Sequence, residues 1–161
     1  IMIVMHPEHI AGAERMTEFG LNAVCGNPAD STLSLGYMFY SGLFDRFPNL
    51  KICALHGGGF LPFHLGRFDK EFVTGQKTRP ALAKNPPSAY LKNLYFDTLV
   101  YDVDTLEYLK AKVGADKLML GTDYPYTLGD WMAVEKVQAL KCSEADKEAI
   151  LVGNAKRLLK L

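Results

Sequence analysis

The stretch Leu50-Lys51-Ile52-Cys53-Ala54-Leu55-His56-Gly57-Gly58-Gly59 decides the fold. Its apolar run, stopped upstream by Pro48 and downstream by glycines, reads as a buried strand that delivers a histidine into a turn with no side chains of its own. The pattern recurs along the chain. Ile1-Met2-Ile3-Val4-Met5 is a continuous apolar run ending at His6-Pro7, which suits a parallel strand buried on both faces. Asn93-Leu94-Tyr95-Phe96-Asp97 ends in a carboxylate, and Lys117-Leu118-Met119-Leu120 leads into Gly121-Thr122-Asp123-Tyr124-Pro125. Parallel strands need long crossovers, so helices are expected between these runs.

The intervening segments supply them. Asn27-Pro28-Ala29-Asp30 offers a cap, a proline at the first helical position and an early acid. Leu33, Tyr37, Tyr40, Phe44 and Phe47 then recur at helical spacing, which predicts one apolar face ending before Pro48. A second helical segment is expected from Pro62 to about Thr78, followed by a proline-bearing connection from Arg79 to Ser88. Asp104 is the expected cap of a third. Two helices are expected to close the chain, around Trp131 to Leu140 and from Ser143 to Leu151, with Gly153-Asn154 as a break before a last segment from Lys156 to Leu161. Two parallel α/β topologies fit this alternation. An open sheet binds ligands near one switch point, whereas a (β/α)8 barrel gathers chemistry at the C-terminal ends of its strands. Each of the four predicted strands ends in or near His6, His56, Asp97 or Asp123, so four consecutive units of a barrel are predicted.

Composition narrows the function classes. The chain has 161 residues, of which 48% are hydrophobic and 22% charged, as expected of a globular domain. Eighteen basic and eighteen acidic side chains cancel, so no net field favours nucleic acid or an anionic membrane surface, and small-molecule chemistry is expected. Three cysteines without a CxxC pair argue against a disulfide framework and fit a reducing, cytoplasmic compartment. No apolar run approaches the roughly 20 residues needed to span a bilayer. The chain opens with Ile1 already inside an apolar strand, so it is expected to start in the middle of a fold.

Three residues are candidates for chemistry on position alone. His6 follows the first strand, where an imidazole can face a barrel mouth as a ligand for a divalent metal; His9 is not placed at the strand end. His56 precedes three glycines that would let substrate or backbone approach its ring closely. Asp123 is a carboxylate delivered at the end of a buried strand, where its charge needs a metal or a histidine for compensation. Asp97 sits similarly and could orient a neighbour by hydrogen bonding. Arg67 lies eleven positions beyond His56 and could clamp a carboxylate with two hydrogen bonds.

The blocks MHP, FDRFPNLKICALHGGGFLPFHLGR, YFDTLVYD, KLMLGTDYP and GNAKRLLKL, in this order, resemble the amidohydrolase-related decarboxylase family, within it the branch acting on an aminocarboxymuconate semialdehyde. The resemblance runs over nearly the whole chain but over only the second half of such an enzyme. It implies an α/β fold that is the C-terminal half of a (β/α)8 TIM-type barrel, with residues 1–161 as a single amidohydrolase-type domain whose N-terminal half is missing. It implies that His6 and Asp123 are zinc ligands, that His56 is the catalytic acid/base acting with a Zn-bound water, and that Arg67 binds a substrate carboxylate. Arg67 is then expected to reach a neighbouring subunit's site, in a homo-oligomer whose partner is a small-molecule carboxylate. The His-x-His pair of the family's first barrel strand has no counterpart here. A hydrolase or hydratase of the same superfamily would use the same metal and base, and a non-catalytic barrel fragment that needs a partner chain is the reading from a different class.

Overall fold

The computed structural model describes residues 2–8, 10–75, 78 and 80–161. His9, weighed above against His6, lies outside the described residues, as do Ile1 and Arg79. Four strands, β1 (Met2–Met5), β2 (Lys51–Ala54), β3 (Leu94–Asp97) and β4 (Leu118–Met119), form one sheet in the order β1-β2-β3-β4. Every pairing is parallel, with Val4 opposite Cys53, Cys53 opposite Tyr95, and Phe96 opposite Leu118. Strand order that follows chain order without a reversal is the order of a barrel segment; an open doubly wound sheet has a switch point.

The strands alternate between two apolar layers, because successive side chains leave a strand on opposite faces. Ile52, Ala54, Leu94, Phe96 and Leu118 join the main core with Leu35, Phe39, Leu61, Leu65, Leu106 and Ile150. Cys53, Tyr95 and Met119 point the other way, into a smaller cluster with Met2, Leu55, Ala155 and Leu158. The helices behind the main core are α1 (Asn27–Tyr40), α2 (Leu43–Arg46), α3 (Leu61–Gly75), α4 (Val103–Val113) and α5 (Ala133–Gln138). Among the described residues, no helix is long and apolar enough to cross a membrane.

Several local expectations are corrected. β1 is not buried on both faces: Ile3 is 47% and Val4 56% exposed, because β1 is the sheet edge and pairs with β2 alone. The single aromatic face is also corrected. Gly42 adopts a left-handed conformation (φ 69°) that ends α1 and redirects the chain into α2. The stripe that faces the core is Ser31, Leu35 and Phe39, leaving Tyr37 at 72% and Phe47 at 55% exposure. Two apolar stripes share the helical period, and Gly36 selects between them: a Cβ there would lie 3.0 Å from the ring of Phe68 on α3. Asp102, not Asp104, caps α4, its Oδ2 accepting the Thr105 N–H at 2.8 Å.

The chain end departs furthest. Gly153-Asn154 does not break the helix, since Gly153 keeps right-handed angles (φ −60°, ψ −43°). α6 (Glu144–Glu148) runs through a wide turn at Ala149–Gly153 into α7 (Asn154–Leu159). The buried Asn154 amide donates to the carbonyls of Ala115 and Leu118, each at 2.8 Å, and the Leu120 N–H donates to the Ile150 carbonyl at 3.0 Å. This helix therefore docks on β4.

Candidate active site

His6 emerges from β1, His56 from β2 and Asp123 from the loop after β4, and the sheet brings all three together. His6 Nε2 lies 3.6 Å and His56 Nε2 3.8 Å from Asp123 Oδ1. The two imidazoles meet edge to face with ring centroids 5.0 Å apart. Side-chain exposures of 32% for His6, 10% for His56 and 14% for Asp123 place the cluster at the mouth of the sheet. Tyr126 stacks on the His6 ring at 5.9 Å.

The backbone around two of these residues is strained. His56 and Asp123 both adopt φ of 56°, a left-handed conformation that side-chain-bearing residues occupy at a cost and that concentrates at functional sites. Of the two approaches expected at the glycines after His56, substrate or backbone, the structure shows close approach by the protein itself. A Cβ on Gly57 would come within 2.5 Å of Val100 Cγ1, and one on Gly59 within 2.2 Å of the Pro28 carbonyl oxygen.

Burial holds the His56 pKa below its ordinary value; the nearby Asp123 carboxylate opposes this and His6 adds to it. Among the described residues, His56 Nδ1 is buried without a hydrogen-bond partner. Behind the cluster, Asp97 is buried, and burial pushes its carboxyl up to about 6 against the lowering pull of the Gly57, His56 and Leu99 backbone N–H groups. The donor atoms of His6, His56 and Asp123 all lie within 4.8 Å of one another. Nitrogen and oxygen ligands sit about 2.0–2.2 Å from a zinc ion, hence roughly 3–4 Å from each other. The separations of His6 and His56 from Asp123 Oδ1, 3.6 and 3.8 Å, fall in that range, so the cluster fits a divalent ion held by His6 and Asp123 with His56 beside it.

A cavity of about 410 Å³ opens from the cluster, lined by Val24, Pro28, Phe60, Leu99, Tyr101 and Leu128 together with His56 and Asp123. Its walls are apolar. Tyr101, at φ 62°, sits at the centre of a tight turn closed by the Asp102 N–H on the Val100 carbonyl at 2.8 Å. Burial raises its phenol pKa, helped by Asp123, Asp97 and Asp130. Tyr101 lies in the YFDTLVYD block but was assigned no role there, and Tyr126 falls outside every block, since an aromatic residue in a loop carries no spacing signal. Asp130 was equally silent, yet it anchors the loop that carries Asp123: its N–H donates to the Thr122 carbonyl at 2.8 Å and its carboxylate pairs with Lys136 at 2.6 Å. Arg67 is exposed on α3 and lines a separate concavity with Tyr40, Lys70 and Thr74. Among the described residues, the His56–Asp123 cavity is lined by no arginine or lysine.

A parallel sheet in chain order, with two imidazoles and a carboxylate converging at its strand ends, has the arrangement of a (β/α)8 barrel segment, whose chemistry gathers at those ends. The sequence model of the amidohydrolase family matches residues 1–161, and the chain belongs to that family. It is 38% identical, over 99% of its own length, to a 2-amino-3-carboxymuconate-6-semialdehyde decarboxylase of Dictyostelium discoideum, of which it covers 45%. The crystal structure of 5-carboxyvanillate decarboxylase from Sphingomonas paucimobilis superposes with a TM-score of 0.90 at 29% identity, over all of this chain and 50% of that one. A dihydroxybenzoic acid decarboxylase from Polaromonas, solved with bound manganese and the inhibitor 2-nitroresorcinol, gives 0.83 at 27% identity, over 98% of this chain and 49% of that one. The chain thus spans about half the length of the relatives it matches, and its fold is half of a (β/α)8 barrel.

Proposed function

We propose that this chain carries the metal-binding and proton-transferring half of a decarboxylase, a carbon–carbon lyase acting on a small carboxylate of the aminocarboxymuconate-semialdehyde kind. The observation that carries the reading is the convergence of His6, His56 and Asp123, of which His56 and Asp123 line an apolar cavity. His6 and Asp123 would hold a divalent ion, zinc as expected from the sequence or manganese as in the Polaromonas enzyme. When bound, such an ion supplies Lewis acidity and brings the pKa of a water molecule toward neutrality. His56 is the acid/base: burial favours its neutral form, which accepts a proton at Nε2, and Asp123 at 3.8 Å stabilises the resulting imidazolium. That proton, taken up from solvent, passes from Nε2 to the carbon that keeps the bonding electrons as the C–C bond breaks and CO2 departs. The apolar walls favour that step, because a carboxylate becomes an uncharged product. Arg67, outside this cavity, would hold the substrate carboxylate of a neighbouring copy.

The test is metal content and turnover. The purified chain loaded with zinc or manganese should retain the ion after dialysis, His6→Ala and Asp123→Asn should lose it, and His56→Ala should abolish any CO2 release from the semialdehyde. Equal retention by wild type and both ligand variants would sink the reading. A second reading is favoured by the exposed edge of β1: a half-barrel that turns over only with a partner chain, in which case metal is held weakly and CO2 release waits on mixing with that partner.

A further inference from the structure

We infer that Asp97 is a positioning residue that sets where the His56 imidazole points, although its carboxylate is absent from the cavity lining. The inference rests on the metal reading above for one arm of its test. Asp97 closes β3, between the strands that deliver His56 and Asp123. Its Oδ1 accepts two backbone N–H groups, that of Gly57 at 2.7 Å and that of Leu99 at 3.3 Å. The Gly57 bond spans forty positions of sequence and pins the residue directly after His56. It matters because His56 and Gly57 both sit at left-handed φ, 56° and 59°. A side-chain-bearing residue relaxes out of that conformation unless its surroundings hold it.

The opposite loop is tied to the same strand end. Thr98, 2% exposed, accepts the Gly121 N–H through Oγ1 at 3.2 Å, and Gly121 packs so closely that a Cβ there would lie 2.7 Å from Asp97 Cβ. The Asp97–Thr98 step therefore fixes the origin of the Asp123 loop while its carboxylate fixes the His56 turn. Within the described residues, no other side chain holds the Gly57 N–H in the structure. Among the described residues the imidazole Nδ1 is buried and unpartnered, and Nε2 meets Asp123 Oδ1 only at 3.8 Å, beyond hydrogen-bond distance, so the backbone that Asp97 holds sets where the ring starts from.

Titrating Mn2+ into the chain and observing histidine ring resonances tests this, because paramagnetic broadening falls steeply with distance from the ion and exposed His64 on α3, outside the cluster, serves as the reference. In wild type, His6 and His56 should broaden together. Asp97→Leu keeps the branching but offers no acceptor, and should spare His56 most of its broadening while His6 keeps its own. Asp97→Asn restores an Oδ1 that can take both N–H groups, and should restore the His56 broadening. If Asp97→Leu fails to fold, Asp97→Ala replaces it with the same expectation. His56 broadening unchanged in the variant overturns the inference, and so does a joint loss at His6 and His56, which would mark a general structural role. Should Mn2+ broaden neither ring in wild type, the metal reading fails, and the metal-free spectra decide the positioning. A His56 resonance displaced in Asp97→Leu and returned in Asp97→Asn supports it; one unmoved overturns it.

Discussion

Asp97 shows how a single buried acid trades stability for geometry. Its folded pKa of about 6 lies above the ordinary 3.8, so between those values the folded state holds a proton that the unfolded chain has released. Stability from this group is therefore greatest at low pH and is lost as pH rises through about 6, amounting to roughly 3 kcal/mol by neutrality. Asp97→Asn removes the ionisation but keeps an acceptor for Gly57. Its unfolding midpoint should exceed that of wild type at pH 7, with the gap closing toward pH 4 in thermal melts across that range. A gap that stays constant with pH would show that the charge is not the cause. His6, His56 and Asp123 were legible as residues because each follows an apolar run, a position that the barrel architecture reserves for chemistry. An orienting role for Asp97 was read from its position at a strand end, but its partners were not, since they are backbone N–H groups at Gly57 and Leu99, which sequence does not mark. Arg67 was read from an order of motifs, and the fold carries it to the outer face of α3.

At the level of elements, strand positions were read well and helix faces poorly. A buried strand is announced by a short apolar run, whereas α1 carries two apolar stripes and only packing against Phe68 decides which turns inward. Gly153-Asn154 was misread for a related reason: the pair resembles a helix stop, but the Asn154 side chain has two carbonyls of the β4 region to satisfy and is buried in doing so. Asn154→Ala would leave the Ala115 and Leu118 carbonyls without that donor. Each buried unsatisfied polar group costs about 1–3 kcal/mol, so a loss of at least that size is expected in urea unfolding, with an unchanged slope. Asn154→Asp, similar in size but unable to donate when ionised, should be at least as damaging at pH 7. A loss well under 1 kcal/mol for the alanine variant would show that water replaces the amide at both carbonyls.

On the scale of the whole molecule, the sheet has edges where a closed barrel has none. β1 presents its outer backbone groups and two branched apolar side chains, Ile3 at 47% and Val4 at 56% exposure, and such an edge is a template for another strand. The registers place these side chains on opposite faces: Ile3 beside Ile52 of the main core, Val4 beside Cys53 of the smaller cluster. Both layers are thus open along the same line, which a second strand would cover at once. Self-association through this edge is expected to appear in sedimentation velocity as a mass that rises with concentration above that of one chain. Val4→Lys places a charge in the layer that an added strand would bury, and an unpaired charge is costly to desolvate. In the separate chain, Val4 is already more than half exposed, so the variant should fold with an unfolding midpoint close to that of wild type while sedimenting as a single chain at every concentration. If Val4→Lys associates as wild type does, the contact lies elsewhere, and the apolar groove of Leu33, Tyr37 and Phe60 on the α1–α3 side is the next surface to probe. If both remain single chains throughout, the expected self-association through β1 is overturned.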